Sequence, residues 1–501
     1  MDKTIDALMR PLADAVSGFI FFSVPIAGTD VPLIVIWLIL GGLFFTAYLG
    51  LINVRGFSHS IKLVSGRYAN STDPGEITQF QALTTAVAGT VGIGNIAGVA
   101  VAISMGGPGA TFWLIVAGLL GMSTKFAECT LGLRYRHIEA DGTVAGGPMY
   151  YLERGLAERR WPKLGRGLGI FYAASMVIGC LGIGNMFQSN QAAAIFVDVS
   201  GGLFADQSWL IGLALAALVG LVIIGGIQSI ATTTARLVPG MALLYVLFAL
   251  LIIVLNADRI PAAFQAIIDG AFSPEGVGGG LIGVMIIGFR RAVFSNEAGL
   301  GSASIAHATA KTPFPAAEGH VALLEPLIDT VVICTMTALV IITTVYTPEL
   351  MQGDISGIEL TTSAFASTVS WSPIPLSIAA ILFAFSTMIA WSYYGLKAFA
   401  YLTGNRSWAN AIFKLVFLSF VVLGASVNLS ALIDLSDALV FVVAIPNLLG
   451  LYLLAPIVKQ ELQRYETAIR SQDHRYLSLP VRAGLPDPWQ HGGRGRHSQD
   501  R

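Results

Sequence analysis

The chain has 501 residues, of which 54% are hydrophobic and 12% charged, and its formal net charge is -1. This balance excludes a large soluble domain and gives no basic surface for nucleic acid. Repeated, nearly uncharged runs of about 20 residues can each cross a bilayer core of about 30 Å, so the sequence predicts an all-α polytopic membrane protein.

Eleven transmembrane spans are predicted along the chain. The loops on one side of them, with the tail after residue 457, hold 23 of the 29 Lys and Arg residues. The opposite loops hold only Arg259, and the N-terminal tail adds Lys3 and Arg10. Because positively charged loops stay in the cytoplasm, the N-terminus is predicted outside and the C-terminus inside. The spans are 31–54, 77–105, 109–135, 169–197, 209–228, 236–256, 277–306, 321–345, 375–400, 410–429 and 433–457.

These spans are organised as one extra helix and two groups of five. Residues 1–30 form an extracytoplasmic segment, and residues 31–54 the extra helix. The groups, 77–256 and 277–457, begin on opposite sides of the membrane, which is the pattern of an inverted repeat. The polar remainder, 458–501, is rich in Arg, Gly and Pro and is predicted to be a disordered cytoplasmic tail.

Each group opens with a span that a Gly-rich stretch interrupts near its middle. The stretches are Ala88 to Asn95, AGTVGIGN, and Phe294 to Gly301, FSNEAGLG. Unwinding there frees backbone groups that lipid cannot satisfy, so they must face protein or a wet cavity. Half-helix N-termini attract a carboxylate and freed carbonyls attract a cation, so the breaks predict a site for a zwitterion with a small cation.

Uncharged polar residues stand at a similar depth in two other spans. Gln188 and Gln191 share a helix face in the fourth span, where hydrogen bonding between helices is the alternative role. Ser386 and Thr387 lie in the middle of the ninth span and suit a hard cation, unless they bond to their own helix. Trp391, one turn further on, forms the floor of a pocket or simply packs.

The charged residues inside the spans form a separate group. Arg290 and Arg291 precede the second break, and such residues usually face a pathway or a partner. Their possible partners are Asp329, Asp434 and Asp437, with a structural salt bridge as the alternative to a gate.

Three further charges receive structural interpretations. Glu297 stands in the second break, at the start of the inner half of the seventh span, and is predicted to be a helix cap or gate. Lys125 and Glu128 are expected to snorkel or to pair near the inner end of the third span. The seven His residues form no metal cluster in the sequence, and the chain has no metalloprotease, nucleotide-binding or hydrolase motif.

Four motifs resemble the alanine or glycine:cation symporter family over about residues 30 to 457. They are Gly89 to Gly98, Gly106 to Trp113, Gly146 to Tyr151 and Phe294 to Ala303. The resemblance implies a LeuT-like fold, with an inverted five-helix repeat plus one helix, and uptake of alanine or glycine driven by sodium or protons.

The resemblance also implies roles for single residues. Substrate contacts fall at Thr90, Gly92, Gly94, Gln188, Gln191, Phe294, Ser295, Asn296 and Trp391. The ion site falls at main-chain oxygens of Ala88, Val91 and Phe383 and at the hydroxyls of Ser386 and Thr387. No cofactor or transition metal is implied; Na⁺ is the coupling ion, with H⁺ as the alternative.

The sequence therefore predicts a plasma-membrane symporter that couples sodium entry to uptake of a small neutral amino acid by alternating access. The alternatives are a proton-coupled carrier for another small zwitterion and a channel, and no enzyme activity is predicted. Phe294 and Trp391 are expected to leave room for glycine or alanine but to exclude leucine by clash.

Overall fold

The computed structural model describes residues 11, 14–26, 29–70, 72–139, 142–273, 280–347, 357–427 and 429–470, without the side chains of 429–436. These residues are almost all helical. Two short antiparallel hairpins are the exceptions: β1 (Ser23–Ile26) pairs with β2 (Thr29–Pro32), and β3 (His137–Ile138) with β4 (Val144–Ala145).

The helices follow in chain order. Those before residue 256 are α1 (Leu33–Tyr48), α2 (Ile52–Arg55), α3 (Phe57–Val64), α4 (Gln79–Thr90), α5 (Ala97–Gly106), α6 (Gly109–Arg134), α7 (Pro148–Glu158), α8 (Pro162–Leu181), α9 (Phe187–Val199), α10 (Ser208–Ile223) and α11 (Gly226–Leu255). Those after it are α12 (Ile260–Phe272), α13 (Gly280–Asn296), α14 (Ala303–His307), α15 (Pro315–Ala322), α16 (Leu324–Pro326), α17 (Thr335–Thr344), α18 (Ile358–Thr368), α19 (Pro373–Thr403), α20 (Ser407–Gly424) and α21 (Leu429–Arg470).

Short 3₁₀ and π turns join several of these helices. A π turn at Gly182–Met186 connects α8 to α9, and another at Leu327–Cys334 connects α16 to α17. The 3₁₀ turns are Ile93–Asn95, Ala205–Gln207 and Ala257–Arg259.

The long helices are apolar on most faces because lipid offers no partner to backbone or side-chain polar groups. Helix α10 shows this: Leu218 and Leu221 face outward while Val219 and Gly220 are buried. Among the described residues, eight helices are long and apolar enough to cross a membrane, and a ninth is counted if the bent pair α4 and α5 is one span. The eleven-span count and its orientation stay predictions.

Both predicted helix interruptions are present. Helix α4 begins with a capping box between Thr78 and Gln81, ends at Thr90, and is followed by a bend of 59°. Helix α13 ends at Asn296, and α14 begins only at Ala303. Backbone groups are thus freed at both places that the Gly-rich sequences mark.

Several helical segments lie where the sequence predicted loops or tail. Helices α7, α12 and α18 have 11, 13 and 11 residues, too short to span a bilayer, so a search for long apolar runs misses them. The last helix also continues beyond 457 to residue 470, so disorder from 458 onward was wrong for this part. This polar extension is amphipathic: Leu462, Tyr465 and Ala468 lie on one face and are buried. Residues 471–501 lie outside the described part.

Candidate functional site

The two helix breaks meet at one buried carboxylate, Asp329 in the π turn at Leu327–Cys334. Asn95, from the first break, donates its side-chain N–H to Asp329 Oδ1 at 2.6 Å. Ser295, beside the second break, donates its hydroxyl to Asp329 Oδ2 at 2.8 Å, and Thr330 donates to the same oxygen at 2.7 Å. Asp329 therefore holds the two breaks together.

The first break packs closely against the fourth and ninth predicted spans. The Ile93 N–H donates to Gln188 Oε1 at 3.0 Å, and the Gly92 N–H donates to Asn95 Oδ1 at 2.9 Å. A Cβ at Gly92 would lie 2.5 Å from Thr387 Oγ1, which is closer than such atoms approach. Only glycine leaves space for this contact, so the break, Gln188 and Thr387 form one continuous wall.

The five residues predicted to bind the ion are all buried, and the structure brings four of them into two direct contacts. Thr387 Oγ1 donates to the Ala88 carbonyl at 2.9 Å, whereas Ser386 Oγ donates to the Phe383 carbonyl of its own helix, also at 2.9 Å. Val91 follows the last residue of α4. Such a set offers carbonyl and hydroxyl oxygens, which are the donors that a hard cation prefers.

The amide residues expected at the substrate play different parts. Gln188 Nε2 donates to the Ile183 carbonyl at 3.1 Å, so this side chain is fully engaged. Gln191 Nε2 donates to Asn190 Oδ1 at 3.2 Å, but the buried Gln191 Oε1 has no hydrogen-bond partner among the described residues. Gln191 thus has an acceptor to offer a ligand.

Two other predicted substrate residues are hydrogen-bonded within the protein. Thr90 Oγ1 lies 3.3 Å from the Val87 carbonyl of its own helix. Asn296 Nδ2 donates to Thr330 Oγ1 at 3.0 Å, and its Oδ1 accepts from the Ala298 N–H at the same distance. These contacts shape the breaks, and in this conformation they leave Asn296 little capacity for a ligand.

An aromatic pair covers the first break. The ring of Phe294 meets that of Phe187 edge to face, with centroids 5.2 Å apart. A Cβ at Gly94 would lie 3.4 Å from the Phe294 ring. Phe294 therefore lies directly against the first break, and its role as a substrate contact stays a prediction.

Trp391 connects both breaks from the opposite direction. Its Nε1–H lies 3.2 Å from the Gly89 carbonyl and 2.9 Å from Glu297 Oε1, so it is more than a packing residue. Its ring fills the space over Gly184, where a Cβ would lie 2.1 Å from Trp391 Cγ. Glu297 has a left-handed φ of 58°. Its carboxylate accepts hydrogen bonds from Trp391 Nε1 and Ser302 Oγ. The predicted role as a helix cap was therefore wrong, because the carboxylate binds side chains.

The arginines before the second break pair with Asp437. Arg290 Nη2 lies 2.8 Å from Asp437 Oδ2, and Arg291 contacts the same oxygen. The Arg290 guanidinium also lies 4.0 Å from the centroid of the Phe21 ring. Pairing with Asp329 was therefore wrong, because the π turn directs Asp329 toward the breaks, and the side chain of Asp434 is outside the described part.

Lys125 and Glu128 are fully buried, so snorkelling was wrong and pairing is confirmed for Lys125. Its Nζ lies 3.2 Å from Glu325 Oε2. Glu128 Oε1 accepts from the Gly299 and Gly301 N–H groups at 2.9 and 3.0 Å. Glu128 thus holds the second break from the side of α6.

Sequence reasoning missed the part played by several residues here. Asn95 stands in the first motif but was not singled out, although an amide beside a helix break is itself a signal for backbone contacts. Asp329 was noticed as a buried charge and given the wrong partner. The close approach of Gly184 to Trp391 could not be predicted from a local sequence pattern, because the two residues are far apart in the chain.

Comparison with known proteins identifies the family of this chain. The profile of the "Sodium:alanine symporter family" matches residues 22–478. The sodium/alanine symporter AgcS of Methanococcus maripaludis is 39% identical, covering 87% of this chain and 94% of that protein. The amino-acid carrier protein AlsT of Bacillus subtilis is 33% identical, covering 85% and 87%.

A solved structure shows the same fold. MhsT, crystallised with L-phenylalanine, aligns with a TM-score of 0.55 over 77% of this chain and 98% of its own, at 15% identity. The LeuT-like fold is therefore confirmed as an architecture. The chain belongs to the sodium:alanine symporter family and is a multi-pass plasma-membrane protein, a cation-coupled amino-acid symporter and not an enzyme.

Proposed function

We propose that this protein couples the entry of sodium to the uptake of alanine or glycine by alternating access. The observation that carries the proposal is the contact between Thr387 and the Ala88 carbonyl, beside backbone that both breaks leave free of helical bonding. A sodium ion bound there would tie α19 to the first break. It would thereby favour one conformation of the carrier.

The substrate would lie between the two breaks. Its carboxylate suits the freed N–H groups at the start of a half-helix. Its ammonium group suits freed carbonyls and the unpartnered Oε1 of Gln191. Phe294 and Trp391 restrict the volume left for a side chain, which favours alanine or glycine. A relative from Bacillus subtilis bears the name "Probable sodium/glutamine symporter GlnT", and glutamine is larger than alanine. We therefore expect selectivity in this family to depend on such lining residues.

Closure on the two sides would use different contacts. The rings of Phe187 and Phe294, with the pair of Arg291 and Asp437, would close the side that the positive-charge bias assigns to the exterior. The contacts of Trp391 and Glu297 would close the cytoplasmic side. This assignment keeps the eleven-span orientation with the N-terminus outside.

The test is counterflow in liposomes that contain the purified protein, with a panel of amino acids and with sodium or potassium outside. We expect alanine and glycine to exchange in sodium, and leucine to be excluded. If exchange is equally fast in potassium, sodium is not required and protons become the coupling ion. A relative from Bacillus subtilis bears the name "Putative sodium/proton-dependent alanine carrier protein YrbD", which includes both ions.

A further inference from the structure

A buried histidine with a carboxylate on each side lies away from the proposed substrate site. His307 Nδ1 is 2.6 Å from Glu318 Oε1, and His307 Nε2 is 2.5 Å from Glu325 Oε1. All three side chains are fully buried. We call Glu318, His307 and Glu325 the histidine triad.

The geometry of the triad fixes how many protons it holds. A carboxylate oxygen at 2.5 or 2.6 Å from an imidazole nitrogen requires a proton between the two atoms, because two lone pairs at that distance repel. The triad therefore holds two protons, as an imidazolium with two carboxylates or as a neutral imidazole with one carboxylic acid. Either way its charge is -1, which the ammonium of Lys125 balances at 3.2 Å from Glu325 Oε2.

Several other charged or titratable groups surround the triad. A ligand atom of Cys129 lies within 4.8 Å of those of His307 and Glu325, and the Lys125 ammonium beside Glu325 disfavours a second cation there. The groups on the adjoining elements are Lys125, Glu128 and Cys129 of α6, Tyr394 of α19, Tyr465 of α21, and Glu297 and Arg136, with His320 on α15 itself.

The triad is linked to a cavity on the side assigned to the cytoplasm. Gln79 Nε2 donates to Glu318 Oε2 at 3.0 Å, and Gln79 also lines a cavity of about 720 Å³ together with Phe314, Ala317 and Tyr465. A small separation at Gln79 would bring water from this cavity to Glu318.

The members of the triad belong to different parts of the proposed transport machinery. His307 ends α14, the half-helix after the second break, while Glu318 and Glu325 lie on α15 and α16. Near His307, the Glu76 N–H donates to the Thr309 carbonyl at 2.8 Å, so α14 is tied to the start of α4, the other inner half-helix. Movement of both half-helices away from α15 would break the two contacts of His307.

We propose that the histidine triad holds two protons in the closed state and releases one of them to the cytoplasmic cavity when the inner side opens. On separation both carboxylates become hydrated, His307 keeps one proton, and the second passes to water. The proposal rests on the proposed symport. Because the closed state holds one more proton than the open state, a low internal pH favours closure and a high internal pH favours opening.

The experiment uses the full-length protein in liposomes, with external pH and membrane potential fixed and internal pH set between roughly 6 and 8, the range in which histidine titrates. The initial rate of sodium-driven alanine uptake should rise with internal pH, by at most about tenfold per pH unit for one proton. His307→Gln should remove this dependence while keeping sodium activation. The matched control is His320→Gln, because His320 is also buried on α15 but, among the described residues, its Nδ1 bonds to the Ala316 carbonyl and to no carboxylate.

A wild-type rate that does not change with internal pH would overturn the proposal and leave sodium-coupled uptake standing. The proposal would also be overturned if the uptake rate of His307→Gln kept the full dependence on internal pH. It would be overturned as well if His320→Gln lost that dependence to the same extent as His307→Gln. If His307→Gln does not fold, Glu318→Gln makes the same test.

Absence of sodium-driven uptake in the wild type would instead count against the proposed function. The triad is then tested by thiol labelling of Ala317→Cys, which is buried beside the cavity. The labelling rate is first corrected for the pH dependence of the reaction with free cysteine. The corrected rate for Ala317→Cys should fall at low pH. In the double variant with His307→Gln it should not fall. Labelling independent of pH would reject the proton site.

Discussion

Thr387 Oγ1 donates a hydrogen bond to the Ala88 carbonyl across 2.9 Å, and this contact joins the middle of α19 to the last turn of α4. The neighbouring Ser386 hydroxyl bonds instead to Phe383 in its own helix. Two adjacent hydroxyls that the sequence treats alike are therefore different in the structure. Of these two hydroxyls, Thr387 is the one that connects two elements that must move relative to each other in an alternating-access cycle.

The first prediction follows from this difference. Thr387→Ala should raise the sodium concentration for half-maximal uptake by at least about tenfold, since an interaction with a charged group contributes about 1.5–3 kcal/mol. Ser386→Ala should have a smaller effect. The measurement is alanine uptake against sodium concentration, with Ser377→Ala as control because Ser377 also bonds within α19. An equal loss in all three variants, or none in Thr387→Ala, would remove Thr387 from the ion site.

The second prediction concerns the packing of Trp391. Gly184→Ala should destabilise the protein by about 1–3 kcal/mol, the usual cost of overpacking, because its Cβ would overlap the Trp391 ring. Gly98→Ala is the control, since a Cβ there meets nothing within 4 Å. Thermal unfolding in detergent checks this. Equal melting temperatures for the two variants would show that Trp391 can move aside.

The third prediction separates the size of Trp391 from its hydrogen bonds. Trp391→Phe removes the N–H that contacts Gly89 and Glu297 but keeps most of the ring, so it should lower the uptake rate and still exclude leucine. Trp391→Ala should admit a larger side chain. Competition of leucine against labelled alanine is the measurement. Leucine competing as well as alanine in the wild type would end the small-pocket hypothesis.

The fourth prediction compares a buried ion pair with an exposed one. Asp437→Asn leaves the Arg291 guanidinium buried with a weakened partner, so it should destabilise the fold by up to about 3–5 kcal/mol. Glu466→Gln, which weakens the half-exposed pair with Arg55, should cost less than about 1 kcal/mol. Thermal unfolding of both variants decides the matter. If both variants lower the melting temperature by a similar small amount, the ion pairs of Asp437 stabilise the fold no more than an exposed pair does.

The fifth prediction concerns orientation in the membrane. Cysteines placed at Leu350 and Arg470 should react with impermeant reagents from opposite sides, the first from outside. If both cysteines react from the same side of the membrane, the count of eleven spans is wrong.

Local sequence signals predicted much of this architecture, and long-range contacts account for what they missed. The Gly-rich stretches located both breaks because unwound backbone in a membrane requires small residues. The partner of Asp329 could not be read from the sequence, since a π turn directs the side chain. Helix α18 was missed for a different reason: 11 residues are too few to register as a membrane span, although they pack inside the fold.

The central claim is that sodium at the first break drives uptake of a small amino acid. Its most direct test is alanine uptake into liposomes under an inward sodium gradient, compared with an equal potassium gradient, for wild type and Thr387→Ala. The account predicts accumulation above equilibrium in sodium alone, with loss of accumulation in Thr387→Ala at low sodium and recovery at high sodium. Accumulation that is equal in potassium, or a Thr387→Ala variant with unchanged sodium dependence, would contradict it.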